Sequence, residues 1–113
     1  MQKYLGDVLE ESTFRVNCVW EDSGGNAVTP DSATWTLTDQ DGTVINSRSA
    51  VSIAALSTDN DIVMYGDDLA FQDSSDNGKR VLTVEAVYDS SYGSNLPLKD
   101  EYHFRVKNLI KVT

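Results

Sequence analysis

The most chemically suggestive pattern in the sequence is Asp73-Ser74-Ser75-Asp76-Asn77-Gly78, where Asp73, Ser75 and Asn77 stand at alternate positions ahead of a glycine. That is the opening half of a calcium loop, in which oxygens at positions 1, 3 and 5 converge and a glycine at 6 makes the turn. The twelfth position of such a loop supplies a bidentate glutamate, but here it is Val84 within a strand-like run. An acidic turn is the better reading. Asp59, Asn60 and Asp61, with Asp67 and Asp68, would complete an oxygen cage only if the loops gathered at one end. Tyr65, Tyr92 and Trp20 are the aromatics from which a sugar-binding platform would be built, although strand aromatics more often fill a core.

Catalytic chemistry has less to draw on. His103 is the single histidine, expected on the solvent face between Tyr102 and Phe104, and a Ser-His-Asp relay would have to use it. No Gly-x-Ser-x-Gly elbow, glycine-rich phosphate loop or Cys/His zinc set accompanies it. The expectation is no catalytic residue, no cofactor, no metal site and no enzymatic activity. Cys18 is the sole cysteine, so no internal disulfide is possible, and its place in an apolar row predicts a buried thiol near Trp35 and the Leu82–Tyr88 stretch.

These residues must be positioned by strands. In Thr13 to Trp20, Phe14, Val16, Cys18 and Trp20 alternate with Thr13, Arg15, Asn17 and Val19, the period of two of a half-buried strand. Residues 1–12 read as a short edge strand or an arm. Residues 21–31 read as a loop, punctuated by Gly24-Gly25 and Pro30. Ala33 to Thr38 is the next strand, and Asp39-Gln40-Asp41-Gly42 is a bulged hairpin signal that pairs Asp39 with Thr43 and Leu37 with Ile45. Val51 to Leu56 and Ile62 to Tyr65 predict two short strands, and the segment 66–78, with Leu69, Ala70 and Phe71 in its middle, a single helical turn crossing between sheets. Lys79 to Asp89 predicts a long strand with Glu85 in water and Leu82, Val84, Ala86 and Tyr88 inward. After the turn at 90–95, Pro97 is expected to delay re-entry into a last strand through Tyr102, Phe104 and Val106.

Seven to eight short strands without a helix-period segment predict one all-β domain over residues 1–113, an immunoglobulin-like antiparallel sandwich with clear strands at about 13–107 and terminal arms at 1–12 and 108–113. Cys18 and Trp35, seventeen residues apart, stand where such a fold keeps its B-strand cysteine and C-strand tryptophan, while Val84 or Ala86 replaces the second cysteine. A chain of 113 residues and 12.4 kDa folds to roughly 6,100 Å² of surface, enough burial for a core without staples. The net charge of −9 argues against a phosphate backbone as partner. Ten of thirteen aspartates fall between Asp22 and Asp76, whereas Lys99, Arg105, Lys107 and Lys111 make the C-terminal end the least acidic part. No apolar run is long enough for a signal peptide or a membrane span, so folding in a reducing cytosol is expected.

The lead-in Gly6-Asp7, the segment D-x-x-G-N-x-V at 22–28, the hairpin A-T-W-x-L-x-D-x-x-G at 33–42 and D-D-L-A at 67–70 together resemble a pattern of small proteins and modules of tailed bacteriophages. The likeness runs over about residues 6–107. It implies an Ig-like virion part, such as capsid cement, a neck or tail accessory or the mounting module of a receptor-binding protein. Such a part is made in the bacterial host cytoplasm and docks in many symmetric copies on other virion proteins, without nucleic acid or membrane. The terminal arms would carry the contacts. A calcium- or glycan-binding adhesion module is the alternative.

Overall fold

In a computed structural model, which describes residues 2–73 and 75–107, the chain is all-β with one short 3-10 turn. The strands are β1 (Gln2–Leu9), β2 (Thr13–Val19), β3 (Ser32–Asp39), β4 (Val51–Ser52), β5 (Asp59–Tyr65), β6 (Lys79–Ser90) and β7 (Gly93–Lys107). They form a five-stranded sheet in the order β1-β7-β6-β3-β4 and a two-stranded sheet of β2 and β5. No disulfide joins them, since Cys18 is free and buried. No helix among the described residues is long and apolar enough to cross a membrane.

The core follows from strand parity. Val16 and Cys18 of β2 and Ile62 and Met64 of β5 face Trp35 and Leu37 of β3, Leu82, Val84 and Ala86 of β6, and Tyr102, Phe104 and Val106 of β7. Phe14 closes one end against Phe104, with ring centroids 5.2 Å apart. The 3-10 turn Gly66–Leu69 carries the chain from the small sheet to the large one and drops Leu69 into the core, as the sequence suggests.

The Asp39–Gly42 hairpin has the expected register. Asp39 N–H donates to the Thr43 carbonyl at 3.0 Å, Ile45 N–H donates to Leu37 at 2.9 Å, and Gly42 has φ +91°. Its return strand is brief, because Asn46 and Ser47 adopt left-handed backbone and turn the chain away.

Four expectations are corrected. Of the two readings of residues 1–12, residues 2–9 are the edge strand and not the arm. Their backbone pairs with β7, Tyr4 opposite His103 and Val8 opposite Val106. That pair is parallel, so the sandwich is not wholly antiparallel. The strand expected over Val51 to Leu56 stops at Ser52. Ile53 N–H makes the last bond, to Ala33, and Ala55 at φ +53° bends the chain so that Ile53 and Leu56 lie against the core. Pro97 delays nothing, because β7 re-enters at Gly93 after the two-residue turn Ser91-Tyr92 and runs through it. The Val87 carbonyl accepts from Asp31 N–H on the β3 side, so Val87 and Pro97 form a non-hydrogen-bonded pair. The donor that proline lacks would have faced the open edge. The arm expected at 108–113 lies outside the described residues.

Candidate docking surfaces

The acidic loop around Asp73 to Gly78 spends its oxygens on itself. Asp73 Oδ1 accepts from Ser75 N–H and Oγ–H, and Asn77 Oδ1 accepts from Lys79 N–H. Asp76 accepts from Gln72 N–H, Gly78 N–H and both terminal nitrogens of Arg80, which is fully buried. The Arg80 guanidinium holds the Asp76 carboxyl well below the usual carboxylate range. Asp68 is likewise buried and occupied: burial alone would raise its pKa, but Arg48, Asn46 and Tyr65 N–H bond the carboxylate and hold it low. Asn60 accepts from Trp20 Nε1–H at 2.9 Å, and Asp59 and Asp61 accept from Asn17. Among the described residues no three His, Cys, Asp or Glu side chains gather as metal ligands.

The other candidates are separated by the fold. Cys18 faces the core from β2, where burial pushes its thiol up to about 11. His103 is on the outer face of β7, its Nε2 against Glu101 Oε1. Tyr65 pairs with Thr13 at one end of the sandwich, Trp20 follows β2 at the other, and Tyr92 sits at the tip of the β6–β7 hairpin. Trp20 is 1 % exposed, so the three make no platform.

The sequence places the turn of this hairpin but not the length of its second strand. Fifteen residues give β7 a span of about 48 Å, most of the molecule's 53 Å long axis. The smaller sheet ends at Val19, yet the core-facing row of β6 and β7 continues past it through Tyr88, Leu96 and Leu98, all half-buried. The accessible surface of 6939 Å² exceeds the roughly 6,100 Å² of a compact chain of this mass, in keeping with such an overhang. Residues 20–28 face the hairpin as a miniature turn, with Val28 N–H on Trp20 O, Asp22 N–H on Asn26 O, and Asp22 Oδ1 accepting from Gly24 and Asn26. Between the two lies a groove of about 760 Å³, with Trp20 and Tyr102 at its base, Leu96 and Leu98 along one wall and Glu21 and Asp22 on the opposite rim. Tyr92 stands beside it 93 % exposed. Lys99, the cation in the lining, reaches Glu85 at 3.6 Å.

The sheet edges differ in how far they admit another strand. β1 carries a bulge between Tyr4 and Asp7 with Gly6 at φ +95°, and β4 is two residues long. On the overhang of β7, Asn95 N–H is taken by Asp89 and Glu101 N–H by Asp100, with Pro97 between them. Tyr65 N–H on β5 is taken by Asp68. β2 has no such device. The bonds Trp20 to Thr58 and Gly66 to Ser12 fix its even residues toward β5. Thr13, Arg15, Asn17 and Val19 therefore direct N–H and C=O outward, where they meet no backbone partner among the described residues.

No family model matches the sequence, and no curated protein and no solved structure matches it significantly.

Proposed function

We propose that this chain is an Ig-like structural component of a tailed-bacteriophage virion, made in the bacterial cytoplasm and docking in multiple copies on capsid, neck or tail proteins, by adhesion and without turnover. The observation that carries the adhesive part is the apolar inner face of the β6–β7 hairpin, continued beyond the core and left uncovered by the smaller sheet. An uncovered apolar face rimmed by polar residues is the physical mark of a contact surface. The open β2 edge adds a second place where a neighbour could gain backbone bonds. The Ig-like part is supported by the division of strands: β2 and β5 on one sheet and β3, β6 and β7 on the other match the B, E and C, F, G strands of that fold. The phage assignment is supported by the resemblance over residues 6–107. Calcium or glycan binding gains nothing from the geometry, since Asp73 and Asp76 are occupied within their loop and Tyr65 is at the far end from Trp20.

The test is quantitative mass spectrometry of particles purified from a lysate in which the chain is made. We expect recovery in the particles at a fixed ratio to the major capsid protein. Recovery only in the particle-free fraction would overturn the proposal.

A further inference from the structure

Resting on the reading of the hairpin groove as a contact surface, we propose that its occupant is residues 107–113 of a second copy of this chain, so that copies associate head to tail. Charge complementarity points to this occupant. The chain is acidic overall, but no carboxylate side chain occurs after Glu101, where Arg105, Lys107 and Lys111 are found. Within residues 107–113, Lys107 and Lys111 flank Leu109 and Ile110, and Val112 follows. The groove presents the complement, with the apolar wall of Leu96 and Leu98 facing Glu21 and Asp22 on the opposite rim, while Lys99 is engaged by Glu85. Lysine stems lie on apolar surface while their ammonium groups reach carboxylates at the rim.

The contact is between copies because a chain cannot reach its own groove. β7 runs unbroken from Leu98 to Lys107, a separation of about 30 Å at strand rise. The six residues beyond Lys107 extend at most about 20 Å. The mode of contact is also restricted. On this edge of β7 the outward donors at Asn95 and Glu101 are taken by Asp89 and Asp100 and Pro97 has none. That leaves Lys99 N–H between them, too few for an added strand, so recognition there uses side chains in the groove. Joining one end of a molecule to the other end of the next is a heterologous contact, which closes into a ring or continues as a filament.

The experiment is sedimentation velocity of the full chain over a concentration series, with Glu21→Lys, Lys111→Glu and their mixture. Glu21 is exposed and its backbone bridge to Ala27 does not depend on the side chain, and unchanged thermal melting of each variant controls for folding. We expect concentration-dependent association of the parent, weakened about fivefold or more by either reversal. Mixing the two variants should restore it, because the cation introduced on the groove rim of one meets the carboxylate introduced in the tail of the other. Tyr92→Ser, at the exposed hairpin tip, should also weaken it. A parent that stays monomeric up to about millimolar concentration, or association indifferent to both reversals, overturns the proposal. Failure here with the chain still found in particles removes self-docking and leaves the virion reading intact, whereas an associating chain absent from particles does the reverse.

Discussion

Gly42 and Gly78 both hold backbone in the left-handed region, at φ +91° and +80°, yet they answer to different constraints. A Cβ on Gly42 would meet nothing within 4 Å, so only the conformational preference is at stake. A Cβ on Gly78 would stand 2.2 Å from the Val106 carbonyl oxygen, while Val106 N–H donates to the Gly78 carbonyl at 2.7 Å. Gly42→Ala should therefore cost about 1 kcal/mol, and Gly78→Ala about 3 kcal/mol or more, since strain and displacement of β7 add. Urea denaturation of the two variants checks the ordering, and equal midpoints would refute it. Cys18 is a second case where surroundings decide behaviour. It is 1 % exposed, and burial raises its pKa to about 11, so the thiolate is scarce at neutral pH. Labelling by a thiol reagent should be slow in buffer and rapid in denaturant. Cys18→Ser should cost about 1–3 kcal/mol by burying an ill-partnered hydroxyl.

At the level of elements, two carboxylates act as clips. Asp68, in the turn after β5, ties that turn to Asn46 and Arg48 from the segment between β3 and β4. Asp76 ties the loop before β6 to Arg80 within β6. Both carboxyls are lowered in the folded state. The unfolded chain, with ordinary aspartates near pKa 3.9, then binds protons first as pH falls. Their stabilisation is complete above about pH 5 and is lost as pH drops below about 4, through the depressed folded values. The free energy of unfolding should be level from neutral pH to about pH 5 and decline below it. Asp76→Asn should flatten part of that decline. A parent equally stable at pH 7 and pH 2.5 would rule the clips out.

Neither clip was legible in the sequence, because each joins side chains whose meeting depends on tertiary placement. The Asp39–Gly42 hairpin was legible, since turn chemistry and the apolar alternation of Leu37 and Ile45 demand the same register. So was the inward row of β6, where Glu85 fixes the phase. Pro97 misled because a missing donor matters only on the side of a strand that is paired, and its side is open. Residues 2–9 were ambiguous because Gly6 inserts a bulge that breaks the alternation a strand would otherwise display. The groove could not be read at all. It arises from unequal strand lengths in two sheets, and length on one sheet says nothing of where the other stops.

For the molecule as a whole, the sequence places its carboxylate side chains no later than Glu101 and leaves the C-terminal end the least acidic part of an acidic chain. The parallel pairing of β1 with β7 has a mechanical consequence. Gln2 lies opposite Glu101 and Leu9 opposite Lys107, so the outer ends of the two strands point in opposite directions along one shared seam. Tension entering before Gln2 and leaving after Lys107 slides the strands past each other and loads the rungs of that seam together. The same pull across an antiparallel hairpin would open its rungs one at a time. The first and last strands thus form a shear clamp across the sandwich, and a chain strained between neighbours along that line resists as a unit until the seam gives way.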